Sequence, residues 1–397
     1  MRVFRLAVVL AFAAGVLFIA PPGGAKSSGW KSHSGTVVAV IDGDTLDVLF
    51  ADGVVRPVRL YGIDTHEWNE CMGPEATARM RQLAPVGSAV TMKGDLTLPL
   101  DGLGRDSMRL FRDGKDVTRV MLKEGYGIPR SPKEIGFKAI RSYRKAVAKA
   151  QNAGAGIWDP TVCGSGPQQS ATIRLRVMYE VDGSDEANPA GEWVEIRNDG
   201  GEELDLSGWR LRDASRRTVL VFPNGTTVAA GTGLRVVGGT GSGGGVLYWG
   251  NKAAHLERTG DGVYLQDPGD DIRAYVEFPC FVACSDPLQG KVVIAVNYDA
   301  EGIDKANING EWVQITNTSS STVDLFDYVV ERDTYVYHFD QSMPVAPGTS
   351  VRLHVGFGSD NGSTAYWGKK RPVFNNFSGT VHLRTLDGRI VAEYSWP

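Results

Sequence analysis

Short acidic segments stand beside β-branched runs in the first third of the chain, and their side chains suit a divalent cation. Asp44 lies in "DGDT", where an alternating strand pattern begins, and Asp64 and Thr65 lie in "GIDT", at the end of the next strand but one. Oxygen ligands are those that Ca²⁺ prefers, with water completing the shell. The sequence therefore offers a calcium site across two strand ends, although "DGDT" by itself is more typical of a turn.

Two arginines and a further carboxylate accompany these candidate ligands. Arg59 precedes Asp64, Glu67 follows it, and Arg105 lies in "DGLGRDSMRLF". Guanidinium groups bind phosphate through paired hydrogen bonds, and a carboxylate outside the metal shell can activate water. Phosphodiester hydrolysis requires this combination of groups. For an isolated cluster of this kind, the alternative is a solvated turn with an incidental ion pair.

The elements that must position these residues follow from the hydrophobic pattern. "GTVVAVIDGDTLDVLFADGVVRPVRLYGID" predicts three strands joined by turns, and "GPEATARMRQLA" predicts a helix. Further strands are expected at 88–93 and 107–112, a short helix at 116–124 with Asp116 as its N-cap, and a last helix with Ser131 as its N-cap. Core packing is expected for the apolar stripe on that last helix, Ile140, Tyr143, Val147 and Ala150. Five strands interrupted by helices predict a small Greek-key barrel of the OB type.

The order of the motifs "DGDT", "RL.GID", "T.E", "D..GR" and "GIW" resembles the staphylococcal-nuclease (thermonuclease) family over about residues 34–160. The resemblance implies an OB barrel that hydrolyses DNA or RNA with the help of Ca²⁺. Carried over position by position, it implies carboxylate ligands Asp44 and Asp64, a backbone carbonyl ligand from Thr65, a general base Glu67 and phosphate-binding arginines Arg59 and Arg105. An alternative from another class is an extracellular adhesion protein whose nuclease-like barrel only binds.

Two departures from the family pattern concern the surroundings of these residues. His66 stands where the family usually has Pro, and we interpret it as a turn residue. Gly102 and Leu103 replace a Lys-Tyr pair beside the terminal phosphate. Because stacking on an aromatic ring contributes about 1–3 kcal/mol per base, weaker mononucleotide binding is expected.

An internal repeat fills the rest of the chain. "VMYEVDGSDEANPAGEWVEIRN" at 177–198 realigns with "VNYDAEGIDKANINGEWVQITN" at 296–317, and "YWG" returns at 248–250 and 366–368. Short alternating runs broken by Gly, Pro and Asn/Asp turns predict a β-sandwich in each copy. The "GEWVEI.N" and "LSGW.L.D" strands resemble the lamin-tail domain, an immunoglobulin-like sandwich. The fold class is therefore multidomain and mainly β.

The charge is divided unevenly along the chain. The net charge is −4, yet residues 30–165 hold 19 Lys/Arg against 16 Asp/Glu, and residues 166–397 hold 20 against 30. Nucleic-acid affinity comes largely from neutralising phosphates, so the repeats are not expected to bind the substrate. They are interpreted as attachment modules for a surface, a polymer or a protein partner. Residues 26–166 alone are then expected to cleave nucleic acid as well as the full chain.

Export is expected from the first residues and from the cysteines. A basic start, an apolar core and small residues are typical of a signal peptide, and no second apolar stretch of membrane-spanning length follows. Four cysteines allow three pairings, of which Cys71–Cys163 and Cys280–Cys284 are favoured; a zinc site lacks the usual ligand spacing. The predicted divisions are a signal peptide at 1–25, the barrel at 32–163, a linker at 164–171 and sandwiches at 172–280 and 291–397.

Overall fold

A computed structural model describes residues 30–98, 100, 103–130, 137–159, 161–162, 172–183, 187–213, 219–243, 245–252, 255–256, 261–269, 272–280 and 284–397. The predicted signal peptide, the Ser131 cap, Gly102, Cys163 and the linker lie outside these residues. Within the described part of the chain, no helix is long and apolar enough to cross a membrane.

The first domain is a closed five-stranded barrel with three helices among its described residues. Its elements are β1 Lys31–Val40, β2 Thr45–Phe50, β3 Val55–Leu60, β4 Ile63–Asp64, α1 Gly73–Leu83, β5 Ala89–Gly94, β6 Asp106–Arg112, β7 Lys115–Asp116, α2 Val117–Lys123, β8 Ile128–Pro129 and α3 Phe137–Ala153. The hydrogen-bonded order is β3-β2-β1-β5-β6, and a parallel pairing of β6 with β3 closes the barrel. The predicted OB-type barrel is confirmed.

The barrel core follows from alternation along the strands and from the helix that covers it. Leu46 and Val48 of β2 point inward and are fully buried. The predicted cap of α2 is present, because the Asp116 carboxylate accepts a hydrogen bond from the Arg119 backbone N–H at 3.2 Å. Core packing is confirmed for the four stripe residues of α3, Ile140, Tyr143, Val147 and Ala150.

The first repeat copy is a sandwich of two four-stranded sheets. Its strands are β9 Ile173–Met178, β10 Trp193–Asn198, β11 Leu204–Asp205, β12 Arg210–Asp213, β13 Val219–Val221, β14 Thr227–Val228, β15 Gly233–Val237, β16 Leu247–Tyr248, β17 Asp261–Gln266 and β18 Ile272–Phe278. The sheet orders are β16-β15-β10-β9 and β13-β12-β17-β18, and a short β11-β14 ladder lies beside them. An apolar cluster between the sheets forms the core.

The second copy repeats this arrangement. Its strands are β19 Val292–Asn297, β20 Trp312–Asn317, β21 Val323–Asp324, β22 Tyr328–Arg332, β23 Tyr335–His338, β24 Pro344–Val345, β25 Ser350–His354, β26 Thr364–Tyr366, β27 Gly379–Thr385 and β28 Ile390–Trp396. The sheet orders are β19-β20-β25-β26 and β23-β22-β27-β28. The predicted pair of immunoglobulin-like sandwiches is confirmed.

The repeated "GEW" and "N" positions are explained by structure within each sandwich. Glu192 and Glu311 are fully buried, and each accepts a backbone N–H from a distant loop, at His255 and at Val373 respectively. Asn198 uses its side-chain amide in the same way, donating to backbone carbonyls at 2.7 and 2.9 Å. Because each of these side chains bonds to backbone groups of its own sandwich, we assign them a role in folding.

The three domains pack against one another in chain order. Tyr264 of β17 and Ile272 of β18 are buried in the same apolar cluster as the barrel core. A smaller cluster joins the two sandwiches, formed by Met178, Trp193, Val329, Val336 and Leu386. The first sandwich therefore shares a core with the barrel.

Candidate functional site

Strand pairing brings the predicted site residues together at one end of the barrel. Asp44 immediately precedes β2, and Thr45 at the start of β2 pairs in register with Arg59 of β3. Asp64 ends the short strand β4, which follows β3 after a tight turn. The backbone N–H of Leu60 also donates to the carbonyl of Asp44 at 2.8 Å. The two predicted metal-binding carboxylates and the first arginine therefore meet in space.

Arg59 bridges the two carboxylates. Its Nη1 donates to Asp44 Oδ1, and its Nη2 donates to Asp64 Oδ1 at 2.6 Å. All three side chains are buried, with exposures of 7% for Arg59, 1% for Asp44 and 2% for Asp64. Burial by itself acts to lower the pKa of Arg59, but the two carboxylates outweigh it and raise the pKa. The guanidinium thus stays charged and holds both carboxylates at one point.

Asp44 is held on both of its oxygens. Oδ2 accepts the backbone N–H of Thr65 at 2.8 Å, and Oδ1 accepts the hydroxyl of Thr45 at 3.0 Å. Burial raises the pKa of Asp44 to about 6, against the opposing effect of Arg59. Arg59 therefore does not fully offset the burial of Asp44, and a further cation beside this carboxylate would stabilise its charged form.

The second predicted arginine reaches the same end of the barrel. Arg105 Nη1 donates to the Thr45 hydroxyl at 2.9 Å, so a single threonine connects Arg105 with Asp44. Arg105 is half-buried, whereas Glu67 is exposed on the loop after β4. The backbone N–H of Glu67 donates to the Glu70 carboxylate at 2.8 Å. The predicted base is thus solvent-exposed on the loop that begins at Asp64.

The donor chemistry of this site fits calcium. Asp44 and Asp64 are hard oxygen donors that converge on one guanidinium, and the buried Thr65 lies beside them. No cluster of three or more His, Cys, Asp or Glu with metal-binding geometry occurs among the described residues. A cation held by the two carboxylates would therefore need backbone, water or substrate oxygens as well.

Arg59 also retains an unused donor. Its Nε–H is buried and has no hydrogen-bond partner among the described residues. Native structures leave few buried donors unpaired, and those that remain often lie where a ligand, water or ion binds. This donor is available to an anionic oxygen without any loss of the contacts that Arg59 makes with Asp44 and Asp64.

A site residue that the sequence did not reveal comes from the first sandwich. Arg212 of β12 is 2% exposed, and its Nη1 lies 3.3 Å from Asp64 Oδ2. A residue of the repeats therefore contacts a predicted metal ligand, which the acidic net charge of the repeats did not indicate. An arginine at the centre of an alternating strand, between Leu211 and Asp213, was the available signal.

The loop beyond Asp64 is fixed by His66 and Cys71. His66 is buried, and its Nδ1 donates to the Cys71 carbonyl at 2.5 Å. Cys71 is disulfide-bonded, and its Sγ lies 3.4 Å from the carbonyl oxygen of Val162. The predicted partner, Cys163, lies outside the described residues. The predicted Cys280–Cys284 disulfide is present.

Comparison with known proteins gives one family match and two similar proteins. The family model of the Lamin Tail Domain matches residues 168–279 and 286–397, so the prediction of two lamin-tail domains is confirmed. An uncharacterised protein of Bacillus anthracis is 30% identical over 139 residues, which are 34% of this chain and 64% of that protein. The SPbeta prophage-derived endonuclease YokF of Bacillus subtilis (strain 168) is 31% identical over 129 residues, which are 31% of this chain and 43% of that protein. The chain spans less than two thirds of either relative.

Proposed function

This chain belongs to the lamin tail domain family, and we propose that its barrel is a calcium-dependent nuclease that hydrolyses phosphodiester bonds of DNA or RNA. The observation that carries the proposal is the buried bridge of Arg59 between Asp44 and Asp64, with Arg105 connected to it through Thr45. The likeness to an endonuclease of Bacillus subtilis supports the same reaction class.

Asp44 and Asp64 would hold the calcium ion through their carboxylates, and Thr65 through its backbone carbonyl. When bound, calcium would supply positive charge to the phosphoryl oxygens of the substrate. The raised pKa of Asp44 supports a cation beside this carboxylate. The same end of the barrel thus offers negative charge for the ion and, through Arg59 and Arg105, positive charge for the phosphate.

The protein groups divide the remaining chemistry among them. Arg59 and Arg105 hold the scissile phosphate and stabilise the charge that develops on it. Glu67 takes a proton from the attacking water, whose oxygen forms a bond to phosphorus while the bond from phosphorus to the 5′ oxygen breaks. The 5′ oxygen leaves and takes up a proton from solvent, so the other product carries a 3′ phosphate.

Incubation of the purified protein with plasmid DNA and with RNA tests this proposal. Cleavage in calcium, its loss in excess chelator and 3′-phosphate ends are the expected results. Glu67→Gln should abolish most of the activity, whereas Glu75→Gln, at an exposed position in the first turn of α1, should not. Cleavage that persists in chelator, or 5′-phosphate ends, would contradict the mechanism.

A binding protein without catalysis is the second candidate. It is favoured by one observation: Arg59 and Arg212 together place a cation on each oxygen of Asp64. If calcium cannot displace or share these contacts, the barrel would bind nucleic acid without cleaving it. Retention of plasmid DNA without cleavage, at every calcium concentration, would establish this alternative.

For the lamin-tail domains we propose a placement role outside the cell, in line with the expected export of the chain. Their sheets offer surfaces and edges through which a polymer, an envelope component or a protein could be bound. Fractionation of cells and medium, followed by binding of the secreted protein to isolated envelopes, tests both parts of this assignment.

A further inference from the structure

Arg212 connects the first lamin-tail domain to the candidate nuclease site by a buried ion pair. Its Nη1 lies 3.3 Å from Asp64 Oδ2, while Arg59 contacts Oδ1 of the same carboxylate. The side chains of Arg212 and Asp64 are each 3% exposed. Both oxygens of Asp64 are therefore held, one from within the barrel and one from the neighbouring domain.

The guanidinium of Arg212 is fixed by its own domain. Nε donates to Gln266 Oε1 at 3.0 Å, Nη1 donates to the Asp213 carbonyl at 3.1 Å, and the group stacks 4.9 Å from the ring centre of Tyr264. The Tyr264 hydroxyl donates in turn to the barrel carbonyl of Pro129 at 3.1 Å. Arg212 thus reaches Asp64 from a rigid support that is itself bonded to the barrel.

The surrounding interface has the character of a permanent joint. Tyr264 and Ile272 are buried within the barrel core. Arg144 of α3 donates to the Pro279 carbonyl at 3.1 Å, and Tyr275 packs against Trp158 with 5.5 Å between ring centres. Large buried side chains of this kind do not separate without exposing apolar surface to water.

We propose that Arg212 is a positioning residue, so that the first lamin-tail domain is a structural part of the nuclease site. The proposal rests on the proposed function of the barrel. The guanidinium of Arg212 is directed to Asp64, Gln266 and the Asp213 carbonyl. It fixes Oδ2 of Asp64, which leaves the carboxylate one orientation toward the calcium ligands of the barrel. Groups that orient a metal ligand typically contribute 10–100-fold to metal affinity or activity.

The positive charge of Arg212 and its contact with Asp64 are expected to change calcium affinity in opposite directions, so this affinity distinguishes two roles. A cation beside a calcium ligand repels calcium, so a purely electrostatic role predicts that removing Arg212 strengthens calcium binding. A positioning role predicts that removal weakens it, because Asp64 Oδ2 then turns toward other donors. The sign of the change in calcium affinity therefore decides between positioning and competition.

The test uses Arg212→Met and Arg212→Lys in the full chain. Arg235→Met is the matched control, because Arg235 lies exposed on β15 of the same domain and stacks on Trp193, a residue of that domain. Calcium affinity is measured by titration calorimetry with calcium chloride. For Arg212→Met we expect 10–100-fold weaker binding and a lower kcat on an oligonucleotide at unchanged KM, with partial recovery in Arg212→Lys.

Unchanged or tighter calcium binding in Arg212→Met would overturn the proposal. A measurement of stability without calcium tests the contact between Arg212 and Asp64 whether or not the barrel is a nuclease. Urea unfolding of Arg212→Met, Asp64→Asn and the double variant should show that the combined loss is smaller than the two single losses added together. Additive losses would overturn the inference. If the parent protein neither binds calcium nor cleaves nucleic acid, the proposed function fails, and the unfolding experiment still decides whether Arg212 holds Asp64.

Discussion

Replacement of Arg59 tests the arrangement of the two buried carboxylates directly. In Arg59→Met the guanidinium is lost while the side chain still fills the site. Asp44 would keep the Thr65 N–H and the Thr45 hydroxyl, and Asp64 would keep Arg212. Removal of one partner from a buried ion pair costs about 3–5 kcal/mol. Because Asp64 retains a cation, we expect the free energy of unfolding of the barrel to fall by about 3 kcal/mol, the lower end of this range.

Calcium should restore much of this loss, and Arg59→Lys should separate charge from geometry. At a concentration 100 times its Kd, a ligand of the folded state adds about 2.7 kcal/mol to stability. Lysine keeps the charge but cannot present two N–H groups of one plane to Asp44 and Asp64. Arg59→Lys should therefore lose less stability than Arg59→Met, yet its cleavage rate should fall by a factor on the order of 10²–10³.

Hydrogen–deuterium exchange of the peptides that carry β2 and β3, with and without calcium chloride, measures the local stability. Arg56→Met is the matched control: Arg56 lies on the same strand and pairs with Asp52 at 2.7 Å at the surface. Such a pair contributes about 0.2–1 kcal/mol. Equal, small losses of stability in Arg59→Met and Arg56→Met would refute the buried bridge. If Arg59→Met loses the expected stability and calcium does not restore it, the calcium assignment is refuted.

Three further predictions follow. Glu67→Gln and Arg105→Lys should each reduce kcat by a factor on the order of 10²–10³ with an unchanged circular dichroism spectrum, and parent rates would remove that residue from the site. Burial raises the pKa of Glu277 against the opposing effect of Arg144, so its carboxyl stabilises the fold below pH 4.5 and loses this contribution as pH rises. Glu277→Gln should therefore melt higher than the parent protein at pH 7 and equally at pH 4; equal melting at both would contradict this. Residues 26–166 alone should cleave an oligonucleotide more slowly than the full chain, because they lack Arg212 and the sandwich side chains Tyr264 and Ile272 that pack in the barrel core; equal rates would bear out the sequence-based expectation.

The fold could be predicted wherever apolar residues recur with the spacing of a strand or a helix, because this spacing shows which face is buried. The barrel strands alternate, so their number and order of appearance follow from the pattern, and α2 is marked by its Asp116 cap. The two-residue strands β4, β7 and β8 are too short to carry a period. The parallel closure of β3 with β6 also left no local signal, since it depends on residues far apart in the chain.

The candidate site was predictable in its residue types but not in its contacts. The motif order identified Asp44, Arg59, Asp64 and Arg105, and strand pairing brings them together. Composition could not show that Arg59 contacts both carboxylates, because that contact depends on the angle at which β4 leaves β3. Composition also did not indicate the contact of Arg212 with Asp64, because the repeats were judged by their net charge.

The two sandwiches dock on the domain before them through equivalent strands, and the residues at one equivalent position on these strands have opposite charges. Arg212 on β12 meets Asp64 of the barrel, and Glu331 occupies the equivalent position on β22. Glu331 pairs with Arg384, which also contacts Glu180 of the first sandwich. In both joints an arginine of the later domain meets an acid of the domain before it, but only in the first copy does that arginine stand at this position. Net charge governs attraction at long range, whereas a buried pair depends on one neighbour. For this reason an acidic domain contributes a cation to a site that holds acids, and the two copies should not be interchangeable in the chain.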